Sequence, residues 1–196
     1  NSHIITLEDP IEYLHRHNRS VVTQREIGLD TDSYVNGLVA SLRQAPDVIL
    51  LGEMRDFDTI KTAMTAAETG HLVISTLHTI GSANSIDRII DVFPPDGQQQ
   101  IRVQLAMVLQ AVISQQLVPT VTGSMVPAFE IMFLNDAIRT MVREGKIHQI
   151  DNVIATSMAE GMISMNNSLL RLMREGKISR DTCISYSSDP EQMQMR

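Results

Sequence analysis

Asp47-Val48-Ile49-Leu50-Leu51-Gly52-Glu53-Met54-Arg55-Asp56 is the stretch on which the fold turns. Four consecutive apolar residues, bounded by charge on one side and Gly-Glu on the other, read as a short strand buried on both faces, as in parallel sheets. Working outward, Ile4–Leu7 and Leu72–Thr76 read as further strands of the same kind. Helical patterns lie between and after them. Val35, Leu38, Val39 and Leu42 follow the one-faced rule, and a second helix is expected from Asp58 to Thr69 with Gly70 as its stop. A third carries Ile86, Ile89, Ile90 and Phe93 and breaks at Pro94-Pro95. A fourth stripe, Ile101, Leu105, Val108, Leu109, Val112 and Ile113, predicts one long helix ending before Pro119. Strands alternating with helices give the α/β class with a mainly parallel sheet.

Residues 120–134 read as a β-excursion around Gly123, with Val126–Phe133 as its strand. After Asn135 the pattern changes to short helices, so the expected division is a core over 1–134 and a helical region over 135–196. Arg143-Glu144-Gly145-Lys146-Ile147 returns as Arg174-Glu175-Gly176-Lys177-Ile178. The simplest account is two helices that end alike, with a C-terminal Gly and basic residues against the last carbonyls.

Composition narrows the function. Hydrophobic residues are 43% and charged ones 20% of the 196, so a sizeable core can form. The net charge is −7, all of it in residues 1–134, which hold eight basic and 15 acidic side chains. No nucleic-acid footprint is present. Apolar runs are far too short for a membrane span, and no basic-then-apolar leader opens the sequence. Cys183 is the single cysteine, which excludes an intrachain disulfide and a multi-cysteine zinc site. A soluble, cytoplasmic protein is expected. Because Asn1 is followed at once by a strand, the sequence reads as cut from something longer.

Three strand ends carry chemistry. The first runs into Glu8-Asp9-Pro10-Ile11-Glu12, the second into Gly52-Glu53-Met54-Arg55-Asp56, and the third through Ser75 and Thr76 to His78-Thr79. Open α/β sheets bind ligands beyond the carboxyl ends of their strands. Carboxylates, imidazole and guanidinium converging there suit a metal–nucleotide site. Each residue also has a plain structural reading. Asp56 or Asp58 can cap the next helix, and Arg43 or Arg55 can pair with Asp47 or Asp56. His71 and His78 sit on either side of a strand and do not form a metal pair.

The longer words resemble the secretion and type IV pilus ATPases. Thr6-Leu7-Glu8-Asp9-Pro10-Ile11-Glu12 is similar to their aspartate box and Asp47–Asp56 to their Walker B segment. Thr65-Ala66-Ala67-Glu68-Thr69-Gly70-His71, continuing to Thr76-Leu77-His78-Thr79, is similar to their histidine box. Ile86-Asp87-Arg88-Ile89-Ile90-Asp91-Val92-Phe93-Pro94-Pro95 also fits. Ala137–Lys146 is similar to the AIRNLIRE-type segment of the pilus-retraction branch, with Thr140 where that pattern has Asn. Extension and secretion members usually carry a four-cysteine zinc loop, so one cysteine favours retraction.

The resemblance implies a RecA-like P-loop NTPase core, truncated at its N-terminal side, with a helical region behind it. It implies a homo-hexameric, ATP- and Mg²⁺-dependent motor. That motor would lie in the cytoplasm against the inner membrane, working with the pilus platform to retract pili for twitching motility. Carried across residue by residue, Glu12 is the general base and Glu53 holds Mg²⁺ through water. His78 senses the γ-phosphate with His71 in support, and Arg43 and Arg55 stabilise charge. No G-x-x-x-x-G-K-[ST] phosphate loop occurs in these residues, so the chain alone is expected to be inactive. The alternatives are a non-catalytic interaction module that keeps the ATPase fold, or an extension or secretion ATPase.

Overall fold

The computed structural model describes residues 1–190 and Met193. The chain forms two compact units, Asn1–His78 with Val92–Pro94 and Thr79–Asp91 with Pro95–Arg196.

In the first unit, β1 (His3–Glu8), β2 (Val21–Glu26), β3 (Val48–Leu51) and β4 (Leu72–Ser75) form an all-parallel sheet in the order β2-β1-β3-β4. Ile5 lies opposite Ile49, which lies opposite Val73, so every carboxyl end reaches the same edge. Successive side chains alternate between faces. One face buries Ile5, Leu7, Ile49 and Leu51 against Leu38 of α1 (Tyr34–Ser41) and Ala63 and Ala66 of α2 (Phe57–Glu68). The two alanines let α2 approach the sheet closely, and each buried Leu or Ile contributes about 1.5–3 kcal/mol. Both helices start where a side chain takes an orphan N–H. The Ser33 Oγ accepts from Asn36 N, and Asp56 accepts from Thr59 N at 2.8 Å. Asp56 is thus the cap foreseen for it, and Gly70 stops α2 at φ +100.

β2 carries no signal that sequence reading registered. It is reached by residues 9–20, which cross back over the sheet without a helix, beginning at a cis Asp9–Pro10 bond.

The second unit contains α3 (Ser82–Asp91), α4 (Gln98–Val108), the antiparallel hairpin of β5 (Ala111–Pro119) and β6 (Met125–Phe133), then α5 (Asp136–Glu144), α6 (Ile150–Thr156), α7 (Met165–Arg174) and α8 (Arg180–Ser185). Two expectations need correction. The long fourth helix stops at Val108, because Leu109 turns to φ −62, ψ 132. Val112 and Ile113 therefore belong to β5, where Ile113 is 67% exposed. Phe93 likewise lies beyond α3 and meets Phe57 edge to face at 4.9 Å.

The compact units divide after His78. The hairpin shares its core with the C-terminal helices, since Val118 and Ala128 pack with Leu169, Leu172 and Cys183. Buried Glu130 of β6 accepts from Ser82 N at 2.7 Å and from Met165 N at 3.4 Å, tying the starts of α3 and α7 to the hairpin. The repeated Arg-Glu-Gly-Lys-Ile words end α5 and follow α7, with Gly145 at φ +71 and Gly176 at φ +70. In each, the lysine pairs with the glutamate two residues before it, Lys146 with Glu144 and Lys177 with Glu175.

Candidate functional site

The carboxyl edge of the first unit's sheet gathers the polar strand ends. Gly52 leaves β3 under tight constraint. Its N–H donates to the Leu7 carbonyl at 2.8 Å, and a Cβ there would lie 2.9 Å from Tyr34 Oη and 3.3 Å from that carbonyl oxygen. Glycine is required by this close approach, not by its φ. From the other side, the Thr76 Oγ1 donates to the Gly52 carbonyl, and Met54 N donates to the Thr76 carbonyl at 3.1 Å. The backbone on either side of Glu53 is thus tied to both neighbouring strands.

Glu53 is the hub. Its carboxylate accepts from the Arg55 guanidinium on one oxygen and lies 3.2 Å from His78 Nε2 on the other. The Glu53 side chain is 13% exposed, whereas His78 is 88% and Arg55 61% exposed. Both partners therefore reach in from solvent to a nearly covered carboxylate. The Arg55 hydrogen bond holds the Glu53 carboxyl below the ordinary carboxylate range, against the opposing effect of burial. The same pair raises Arg55. Asp9 stands 3.9 Å from Arg55 and extends the network to the end of β1.

Tyr34 belongs to this network, and sequence reading did not find it. Burial raises its hydroxyl, Asp9 and Glu53 push the same way, and Arg55 opposes them. The only signal available was its position just after the Ser33 cap, which reads equally well as an ordinary helix start.

The remaining expected residues are dispersed. Glu12 lies in the crossover, exposed, and no contact among the described residues ties it to Glu53. Glu8, the last residue of β1, is engaged by the Gln24 side chain at 3.0 Å. His71 sits before β4, its Nδ1 3.1 Å from the Ala66 carbonyl, at the opposite end of that strand from His78. Arg43 lies on the 3₁₀ turn Leu42–Gln44, which leads to the amino end of β3, again opposite Glu53. Neither arginine makes the structural pair considered for it. Arg55 binds Glu53 and Asp9, and Arg43 has no ion pair with Asp47 among the described residues.

For a divalent ion the donors are few. No group of three or more His, Cys, Asp or Glu able to hold a metal occurs among the described residues. One carboxylate at a sheet edge fits Mg²⁺, which keeps most of its waters and leans on substrate phosphates, and does not fit an all-protein cage.

The family model described as "Type II/IV secretion system protein" matches residues 1–178. A twitching motility protein of Neisseria gonorrhoeae is 47% identical over 193 residues, covering 98% of this chain and 52% of the relative. A type IV pilus retraction ATPase of Pseudomonas aeruginosa, PilT, is 45% identical over 96% of this chain and 55% of its own length. The chain thus spans about half the length of the curated relatives it matches. A crystal structure of the pilus retraction motor PilT with bound ADP superimposes with TM-score 0.90 at 45% identity, covering 100% of this chain and 55% of that one. The Legionella pneumophila ATPase DotB follows at TM-score 0.82 and 28% identity, over 93% of this chain and 50% of its own.

Proposed function

From the premise that this chain belongs to the Type II/IV secretion system protein family, we propose that it carries part of the ATPase core of a pilus-retraction motor. The observation that carries the reading is the Glu53–Arg55–His78 cluster at the carboxyl edge of a parallel sheet, in a chain 45% identical over its full length to a solved retraction motor. The complete protein would act as a homo-hexamer at the cytoplasmic side of the inner membrane, coupling ATP hydrolysis to withdrawal of pilus subunits through the pilus platform.

Glu53 would hold Mg²⁺ through water, and that ion would neutralise charge on the nucleotide phosphates. Arg55 keeps the Glu53 carboxylate aimed until then, and the pair holds its carboxyl below the ordinary range. His78, exposed at the strand end, can donate from Nε2 to a phosphate oxygen by exchanging Glu53 for it. Glu12 would orient the attacking water and take its proton, which asks the exposed crossover to bring that carboxylate to the phosphate. Arg43, at the far edge of the sheet, would serve a neighbouring subunit's site in place of its own, and His71 would brace the α2–β4 turn from which the histidine segment departs.

The test is made on the complete protein. Glu53→Gln or Glu12→Gln should abolish ATP turnover while nucleotide binding, read by a fluorescent analogue, persists. Near-normal hydrolysis in either variant would remove that residue from its role.

A further inference from the structure

His78 is held by its backbone more than by its side chain. The imidazole is 88% exposed, and Glu53 is its single hydrogen-bond partner among the described residues. An exposed ring on a slack chain samples many directions, so its aim depends on how the backbone is pinned on either side. Upstream the pin is Thr76, whose Oγ1 donates to the Gly52 carbonyl while its own carbonyl accepts from Met54 N. Downstream the chain is gripped at once. Thr79 Oγ1 and Ser85 Oγ share a hydrogen bond of 2.8 Å, Gly81 N donates to Ser114 Oγ at 2.8 Å, and Ser82 N donates to Glu130 at 2.7 Å.

Two successive amides, those of Gly81 and Ser82, thus end on two side chains that stand directly opposite each other in the β5–β6 register. Ser114 and Glu130 are both buried, and Glu130 has no ion pair among the described residues. Burying a hydroxyl and a carboxylate is costly unless hydrogen bonds replace their water. An apolar pair would fill this face of the hairpin, which also carries Val118 and Ala128, without that cost. What the polar pair does, and an apolar pair cannot, is fix the start of α3 to the hairpin, and with it the point to which the chain runs from His78. The carboxylate is the stronger of the two anchors, because a charged acceptor at a helix start gains from the helix dipole as well as from the hydrogen bond.

We propose that Ser114 and Glu130 are positioning residues for ATP hydrolysis: by gripping Gly81 and Ser82 they set the backbone that presents His78 to the nucleotide. Neither side chain meets the phosphates, and both act through His78. The inference rests on the phosphate role given to His78 above. Ser114 is the cleaner probe, because Glu130 also holds Met165 N at the start of α7.

Two measurements test it. In the 196-residue chain, NMR of the His78 imidazole reports its aim without any nucleotide. Glu53→Gln should shift the ring resonances in the parent and should do so far less in a Ser114→Ala background. In the complete protein, Ser114→Ala should lower kcat about tenfold with the KM for ATP nearly unchanged, because a misplaced group costs rate more than binding. Ser114→Thr, which keeps the hydroxyl, should restore most of the rate. Adding Ser114→Ala to His78→Ala should cost little more than His78→Ala alone. Circular dichroism checks that every variant is folded; if Ser114→Ala is not, Ser114→Cys, whose thiol is a poor acceptor, takes its place. A Ser114 variant of parental kcat beside a slow His78→Ala enzyme, an undiminished His78 response to Glu53→Gln, or losses that simply add would each overturn the proposal. A His78→Ala enzyme of normal turnover would instead refute the phosphate role of His78, and the proposal would fall with it.

Discussion

Gly52→Ala isolates how tightly the site is built. The new methyl would lie 2.9 Å from Tyr34 Oη, 3.3 Å from the Leu7 carbonyl oxygen and 3.5 Å from Glu8 Cα. The last two atoms are backbone of β1, held in register by the Gly52 N–H bond of 2.8 Å, so the tyrosine must give way first. Overpacking of this kind costs about 1–3 kcal/mol. With a urea dependence of about 1–3 kcal/mol per molar, the unfolding midpoint should fall by about 1 M. Amide hydrogen exchange at Ile49–Leu51 is the better assay, since it reports the first unit by itself. Tyr34→Phe alone removes a hydroxyl and should be nearly neutral. Combined with Gly52→Ala it should recover about half the loss, because the 2.9 Å clash disappears while the 3.3 Å one remains, a coupling of about 1 kcal/mol. A Gly52→Ala protein as stable as its parent, or a double variant no more stable than Gly52→Ala, would refute the claim that Tyr34 and β1 set the path of the chain into Glu53.

Three further outcomes follow from other contacts. Glu130→Ala should lower the stability of the second unit by about 2–3 kcal/mol, because two helix-start N–H groups lose a charged acceptor, and Glu130→Gln should cost less; thermal unfolding followed by circular dichroism separates them. The Glu53 carboxyl sits below its ordinary value, so the pairing contributes stability above the unfolded value and loses it as pH falls through the lower folded one. Arg55→Met should therefore move the Glu53 carboxyl titration upward in carbon-13 NMR, and an unchanged titration would show that Arg55 is not its main partner. Cys183 is 2% exposed and burial pushes its thiol up, so an aromatic disulfide reagent at neutral pH should react only as fast as the second unit opens.

Much of this was legible in the sequence where one period ruled one segment. Val48–Leu51 is legible as a strand because nothing polar interrupts it, although only Ile49 and Leu51 are fully buried while Val48 and Leu50 are partly so, and the strand between His71 and His78 already shows that the two imidazoles lie at opposite ends. The stripe from Ile101 to Ile113 misled for a specific reason. Val112 and Ile113 continue a helical spacing by accident of register, and no Gly or Pro marks the turn at Leu109. β2 escaped because Val21-Val22-Thr23-Gln24-Arg25-Glu26 turns polar midway and its crossover has no helix to announce a parallel pair. At the site, Glu53, Arg55 and His78 were readable as strand-end chemistry, but Tyr34 enters only through a tertiary approach to Gly52, which no local pattern encodes. His71 enters the cluster by its place in a recognisable word and Arg43 by a role the resemblance implies, and the direction of the strands sends both to the far edge.

The parallel register has a consequence for how the molecule comes into being. β1 pairs with β3 through Ile4 and Val48, and neither can find the other until the long intervening segment is closed, whereas β5 and β6 are joined by a short turn. Chain-closure entropy and high contact order make the first pairing slow and leave the hairpin free to form early. Pulse-labelled hydrogen exchange during refolding should find amides of the 111–133 hairpin protected before those of β3. Glu53 thus acquires its setting late, when the last long-range strands have zipped, and a nascent chain carries the complete chemical alphabet of its site well before it can spell anything with it.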